Sequence, residues 1–467
     1  MIRALPVACA LLLVSSALPA RAQDAIDADR LNAAIDKGVA WLQALQRPDG
    51  GFDLPPPPDG GTLESGFPLG YSALATLTLL KCGTAADDPA IERAFQHLYS
   101  LPLKKTYEVS LLILCIEARY APPPELLEKK ADQGYASIAR NHFRARARKP
   151  DLDKLQACVD WLVGHQSKTS GAGWRYPQGE IDQDNSCTQY AMLALKSARR
   201  LGVGVPIEVF EKVADFMVAQ QDATGPEVPW FAVPAADVPI YEMLTLEQRR
   251  KKEEKEQKEE EKRAERAEGT KERGKPAPES LERRVLNARG WSYLPRPTPE
   301  GPPPESRTGP VPARTVSEQN TTGSMTCSGV AALCIAKSEL ESAPASWRPR
   351  EEAVERAIRD GCAWLAHFWN PKENPSSGEK KTVGWKYYWF YSVERAGVLA
   401  GTYTFGEHDW WEEGAAHLLQ VQLPEGAWPD AKGLSKLSPT CFALLFLRRS
   451  TVPLVPLPKK RVMTGRG

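Results

Sequence analysis

The chain has no excess of either charge: 60 Lys and Arg stand against 59 Asp and Glu. A protein so balanced projects no long-range field, so recruitment by bulk charge to nucleic acid or an anionic membrane is not expected. Beyond its N-terminal segment no run is long and apolar enough for a bilayer crossing, so no transmembrane span is expected. There is no CxxC pair, phosphate-cradling glycine loop, GxSxG elbow or HExxH pair. The usual sequence grounds for thiol redox, nucleotide, serine-hydrolase and zinc-protease chemistry are therefore missing. Strand-like alternation of any length is also absent, which argues against a parallel-sheet fold. What remains is a 467-residue chain, 42% hydrophobic and 25% charged, the balance of a folded globular protein.

Residues 1–22 have the pattern of a secretory signal. Arg3 supplies a positive start, Ala4 to Leu18 a mostly apolar run, and Ala20-Arg21-Ala22 a small-x-small cleavage site. A membrane anchor is the weaker reading, because the apolar run falls short of the ~20 residues a span requires. The mature protein is expected to be exported, to the periplasm or beyond. Cys9 leaves with the signal. Cys82, Cys115, Cys158, Cys187, Cys327, Cys334, Cys362 and Cys441 remain, mostly inside apolar runs such as LLILCIEA, and read as buried thiols. An oxidising compartment leaves one or two disulfides open.

The dominant positive feature is an internal repeat. GVAWLQALQRPDGGF from Gly38, CVDWLVGHQSKTSGAGW from Cys158 and GAAHLLQVQLPEGAW from Gly414 each end a helix-periodic stretch near Gln and a Gly/Trp (or Gly/Phe) turn. Apolar spacing at i, i+3, i+4 and i+7 gives six helix pairs. They cover 31–46 with 68–82, 88–99 with 105–118, 153–166 with 185–200, 206–220 with 322–338, 351–368 with 384–399, and 409–422 with 436–449. First helices carry charge on one face, as in EEAVERAIRDGCAWLAHF; second helices, such as CTQYAMLALKSA and SPTCFALLFL, are apolar nearly all round. Exposed helices alternating with buried ones predict an all-α fold, a single (α/α)6 toroid over 23–450.

Three segments interrupt this pattern. Residues 123–150 open on prolines, close on RNHFRARARK, and predict one extra surface helix. Residues 244–315 form a charged and Pro-rich insertion in which 21 of the 27 residues from Glu247 to Arg273 are charged. That composition cannot bury a core. It suits a solvated helix with i,i+4 pairs such as Glu254/Lys258, or a docking arm for a protein partner over 244–290. GWSY at Gly290 looks like the turn of the fourth repeat, which would make the arm a loop excursion. Residues 451–467 are expected to be a mobile tail.

In such a ring the inner-helix N-termini share one rim, where backbone N–H groups and helix dipoles converge. The richest polar cluster there runs from Asp182 through Gln183, Asp184, Asn185, Ser186, Cys187 and Thr188 to Gln189. Others are Gly70/Tyr71, Tyr107/Glu108, Asn320 to Thr326, Tyr387/Tyr388 and Ser438 to Cys441.

The Gln-x-x-x-Gly-x-Trp turns, with DQDNSCTQYAMLAL, GWRYP, TGSMTCSGVAAL and GWKYYWFYSVERAG, resemble the terpenoid-cyclase and protein-prenyltransferase toroid superfamily. The nearest likeness is to exported bacterial proteins with prenyltransferase/squalene-cyclase repeats, a group without an assigned reaction. The resemblance covers roughly 31–450 apart from the insertions. Squalene-type cyclases carry Asp-x-Asp-Asp, whose middle Asp protonates an alkene. Asp182-Gln183-Asp184-Asn185 keeps the first two carboxylates and replaces the third. The resemblance implies Asp184 as proton donor and Asp182 as its tuning partner, since two close carboxylates raise one pKa. Trp174, Tyr190, Tyr387 and Tyr388 would then face a carbocation. The competing reading is that Asp184 or Ser186 caps the next helix.

The prenyltransferase zinc set is incomplete. Asp360-Gly361-Cys362 has its Asp-x-Cys spacing but falls on an outer helix, and Pro439-Thr440 stands where the His-Thr would be. No metal and no cofactor is expected. Asp87-Asp88-Pro89 and His408-Asp409 read as helix caps. Glu394-Arg395 reads as an internal ion pair, and the turn tryptophans Trp174, Trp291, Trp385 and Trp428 as packing wedges. The functional expectation is binding or processing of an apolar, isoprenoid-like small molecule in a central cavity by Asp184, Asp182, Asn185, Thr188, Gln189, Trp174, Tyr107, Glu108, Thr326, Tyr387 and Tyr388. The alternatives are a non-catalytic cell-envelope scaffold and a carbohydrate-active enzyme.

Overall fold

The computed structural model describes residues 26–52, 67–130, 133–166, 172–176, 184–239, 285–294, 320–430 and 435–454. The signal-like segment, Asp182, Gln183 and the charged stretch 247–273 lie outside them. Among the described residues the protein is predominantly helical, with three two-stranded antiparallel ribbons.

Six long helices are buried on nearly every face: α2 (Pro68–Lys81), α4 (Thr106–Arg119), α8 (Asn185–Leu201), α11 (Gly323–Leu340), α14 (Lys386–Ala400) and α16 (Leu437–Leu447). Six others bury one stripe: α1 (Ala28–Ala44), α3 (Pro89–Ser100), α7 (Lys149–Gly164), α9 (Ile207–Gln220), α13 (Glu351–His367) and α15 (Trp410–Val421). The stripe of α1 is Leu31, Ile35 and Leu42, spaced for one face of a 3.6-residue period. Local start signals agree with these bounds. Asp88 accepts from the Ala90 amide at 2.7 Å ahead of Pro89, and Asp409 accepts from the Glu412 amide at 2.9 Å. The sequence-derived bounds differ most at α7, which begins at Lys149 rather than 153, with Pro150 in its first turn.

The buried helices pack in order: α2 on α4, α4 on α8, α8 on α11, α11 on α14, α14 on α16, and α16 back on α2. The one-sided helices lie outside this cycle, α1 against α2 and α16, α7 against α4 and α8, and α15 against α14 and α16. Residues 123–150 supply two helices rather than the one expected, α5 (Pro124–Lys129) and α6 (Tyr135–Arg146). α6 covers α8 through Ile138, Ala139 and Phe143. Two single-turn helices complete the set, α10 (Pro234–Asp237) and α12 (Pro344–Trp347).

The repeat turn is a specific joint. In four repeats an aromatic backbone N–H donates to a hydroxyl in the first turns of the following inner helix: Phe52 to Ser72 (3.0 Å), Trp174 to Thr188 (3.1 Å), Trp291 to Thr326 (3.3 Å) and Trp428 to Thr440 (2.9 Å). Each tryptophan also wedges its indole N–H onto the preceding outer helix, Trp174 on Leu162 O, Trp291 on Met217 O and Trp428 on Leu418 O.

The glutamine of each turn reaches further. Its amide donates to a carbonyl of its own turn and to one in the next outer helix. The partners are Ala90 for Gln46 (2.8 Å), Val209 for Gln166 (3.2 Å), Ala357 for Gln221 (2.9 Å) and Ala34 for Gln422 (2.8 Å). The turn must approach that helix backbone closely. Gly50 at φ +90° and Gly426 at φ +100° make this approach, where a Cβ would lie 2.2 Å from Arg93 O or 2.5 Å from Lys37 O.

β1 (Glu227–Pro229) pairs with β2 (Val285–Asn287), so the chain leaves for the charged excursion and returns at neighbouring positions. Because Gln221 bonds Arg289 O at 3.0 Å, the whole excursion is inserted within one repeat turn. All eight cysteines after the signal-like segment are free thiols, Cys82 half-buried and seven buried. Burial pushes the Cys82 and Cys158 thiols up to about 12. No described helix is long and apolar enough to cross a membrane.

Candidate functional site

At the N-terminal ends of the inner helices the expected site residues are largely engaged in the joints just described. Asp184 caps α8, accepting from the Cys187 amide at 2.7 Å and from Ser186 Oγ at 2.6 Å. It is fully buried, and burial raises its carboxyl above the usual range. Asn185 donates to Ser292 O at 2.8 Å. Thr188 donates to Asp184 O at 2.7 Å and receives Trp174 N–H, while Thr326 receives Trp291 N–H. Glu108 accepts from the Gly70 amide, the opening of α2, at 3.3 Å. These groups hold the inner helices in register.

The remaining expected residues meet deeper in. The Tyr107 ring stands edge-on to Tyr190 at 4.7 Å, and Tyr190 stacks with Tyr388 at 6.3 Å. Tyr388 donates to Gln189 Oε1 at 3.2 Å, a bond across the interior from α14 to α8. Tyr387, next to Tyr388 and so about 100° round the helix, is buried and pushed up to about 12 by desolvation. The expected binding residues Tyr107 and Tyr388, with Tyr190 between them, therefore form an aromatic plug.

Beneath the plug sits Arg395, which the sequence had paired with Glu394. The two do not pair. Successive helical residues point about 100° apart, and here Arg395 turns inward while Glu394 turns to the chain after α16. The wholly buried Arg395 guanidinium lies over three phenol faces: Tyr391 at 3.9 Å, Tyr190 at 4.7 Å and Tyr388 at 5.7 Å. Its Nε donates to Tyr391 O at 3.2 Å, and neither Nη has a hydrogen-bond partner.

Arg395 also forms part of the wall of a small cavity of about 30 Å³. This cavity lies towards the C-terminal ends of the inner helices, the opposite end from the expected rim. Leu77, Leu114, Leu193, Ile335 and Leu399 give it an apolar wall. Lys81, Lys196, Arg200 and Glu117 add charge. Arg200 pairs with Glu117 at 2.7 Å, and Lys196 with Glu339 at 2.5 Å. Burial lowers the Lys81 ammonium below its ordinary value.

Ser450, Thr451 and Val452 close one side of the cavity. α16 ends with Arg449 in the left-handed region, φ +47°, and the chain then turns back. Thr451 donates to Glu394 twice, from its amide at 2.8 Å and its hydroxyl at 2.6 Å. Residues 451–454, expected to begin a mobile tail, thus start as an anchored strap; residues 455–467 lie outside the described residues. Burial pushes the Glu394 carboxyl up to about 7.

No group of described residues has the makings of a metal site. Asp360 is held by Arg289 at 2.7 Å, and Cys362 is buried in the core. Sequence reasoning missed the cavity residues Lys81, Glu117, Lys196, Arg200 and Arg395. Their signal was charge inside otherwise apolar helices, as in ILCIEAR, LALKSARR and VERAG. No protein-family model and no curated protein matches the chain.

Proposed function

We propose that this chain is an exported (α/α)6 toroid that binds a small molecule with an apolar, isoprenoid-like body. The ring reading is supported by the packing cycle of inner helices and by the Gln422 bond to Ala34, which joins the last repeat to the first. The observation that carries the binding reading is a small pocket among the inner helices with leucine and isoleucine walls.

Binding is favoured over acid catalysis. Asp184 stands nine residues before Leu193, about 13 Å along the axis at 1.5 Å per residue, and Oδ1 of its carboxylate is occupied with capping. The test is native mass spectrometry and solvent extraction of the purified mature protein, beside Leu193→Trp, which fills the cavity. A co-purifying apolar molecule lost in Leu193→Trp supports the reading. Absence of any bound molecule, together with failure to take up apolar probes, overturns it.

The second reading is an envelope scaffold. It is supported by the β1–β2 pairing, which brings the two ends of the charged excursion side by side. Affinity capture with and without residues 244–284 tests it, and identical partner sets overturn it.

A further inference from the structure

We infer that the β-hairpin between α13 and α14 docks on an anionic lipid surface, with Trp385 as interfacial anchor and Lys372, Lys380 and Lys381 against the head groups. In this hairpin β3 (Asn374–Pro375) pairs antiparallel with β4 (Thr382–Val383). It precedes the N-terminus of α14, whereas the cavity takes its α14 residues, Tyr391, Arg395 and Leu399, from further along that helix.

Gly384-Trp385 stands in sequence where other repeats carry their packing wedge, but the wedge has moved. Trp389, about one helical turn later, is fully buried and donates its indole N–H to Asn370 O at 3.1 Å. Trp385, expected to be a wedge, is instead 79% exposed, more than any other large hydrophobic residue described. Its backbone lies in the left-handed region at φ +70°, where Arg449 is the only other described non-glycine residue. A side chain there is strained, and an indole left in water forfeits its burial. The indole makes no hydrogen bond or ring contact among the described residues that would offset either.

The hairpin is fastened to the start of α11. Ser377 N–H donates to Thr321 O at 3.0 Å, and Asn374 Oδ1 accepts from the Ser324 amide at 3.0 Å. Asn374 Nδ2 donates to Ser324 Oγ at 3.0 Å and to Gly384 O at 3.1 Å, beside Trp385. The exposed charge here is mainly positive. Lys372, Lys380 and Lys381 are exposed and have no carboxylate partner among the described residues. Glu373 is met by Lys386 at 3.6 Å, which leaves Glu379 to oppose three lysines. Lys372 and Lys386 also share a neighbour, His417, so Lys372 lies on the side where α14 begins.

Protein interfaces favour tryptophan but are depleted in lysine. A lipid interface takes both, the indole at head-group level and the ammonium groups against anionic phosphates. Because the whole chain is nearly neutral, the attraction is local to the hairpin and is screened by salt.

Flotation of the mature protein with phosphatidylcholine vesicles, alone or mixed in equal parts with phosphatidylglycerol, tests this. Binding is expected on the mixed vesicles only, and should weaken as salt is raised. Lys380→Gln with Lys381→Gln should weaken it about thirtyfold, roughly fivefold for each lysine near an anionic surface. Trp385→Gly removes the indole and relieves the backbone, so it should fold at least as well as wild type yet lose binding. Trp385→Tyr should keep part of the binding but lose the fluorescence quenching that brominated lipid gives in wild type. Absence of binding to the mixed vesicles overturns the inference, and so does binding that Trp385→Gly leaves unchanged. Equally tight binding to soluble polyphosphate or a single-stranded oligonucleotide assigns the patch to polyanions in general and also overturns it.

Discussion

The side-chain amide of Gln422 donates to the carbonyl oxygen of Ala34 at 2.8 Å, across 388 positions of sequence, and to Gly426 O at 2.9 Å. Gln46 makes the same pair of bonds, to Ala90 O and Gly50 O. One residue therefore ties its own turn and staples it to the neighbouring repeat. Gln422→Ala should destabilise the protein by about 1–3 kcal/mol, the penalty for stranding buried carbonyls. Urea denaturation would measure this, and Gln46→Ala should give a similar loss.

The turn glycines beside these staples admit no side chain. Gly426→Ala places a Cβ 2.5 Å from Lys37 O at φ +100°. Backbone strain alone is worth on the order of 1–3 kcal/mol, and the contact adds to it. A lowered melting temperature is expected, whereas Gly83→Ala, with φ +98° and nothing within 4 Å of the added atom, should suffer only the strain. Equal losses at both positions would show that the close approach does not matter.

Asp184 separates capping from acid chemistry. Asn is as good an N-cap as Asp, so Asp184→Asn should be nearly neutral, while Asp184→Ala should lose about 1 kcal/mol or more. Ligand retention should be unchanged in Asp184→Asn. A variant that folds normally yet alters the co-purifying molecule would instead point to a proton-donating role.

Glu394 gives the protein a pH dependence of definite sign. Burial raises its folded value to about 7 from the ordinary glutamate value of about 4.5. Between these values the folded state binds more protons than the unfolded one, so the contribution is most favourable below pH 4.5. It declines as pH rises through 7, and is flat above that. The full span is about 3 kcal/mol. His417, lowered by burial to about 4, tilts stability the opposite way over part of this range. The clean measurement is therefore the difference between wild type and Glu394→Gln from pH 4.5 to 8. That difference should grow with pH in favour of Glu394→Gln.

The all-α class and the six helix pairs were legible because each inner helix is apolar all round and each turn carries its own Gln, Gly and aromatic residue. The caps at Asp88, Asp184 and Asp409 were legible because capping is local. The second bond of each glutamine was not, since Ala34 lies nowhere near Gln422 in sequence. The cavity was missed for a related reason. Lys81, Arg119 and Arg200 near helix C-termini look like ordinary complements to the helix dipole. Only the packing shows that Lys81 and Arg200 face one cavity, while Arg119 instead pairs with Glu92. Polar richness pointed to the N-terminal rim, where those groups are spent on joints. Adjacency in sequence likewise suggested a Glu394–Arg395 pair that helical rotation forbids.

Among the described residues α1 abuts α16, so in the ring proposed above every hairpin would have a neighbour on both sides and none would be terminal. An open superhelix shields its two last units with specialised polar faces and can lose one without collapse. The proposed ring would have no such spare edge. Removing any hairpin would expose two greasy flanks at once, so the protein should melt as one body rather than shorten from an end.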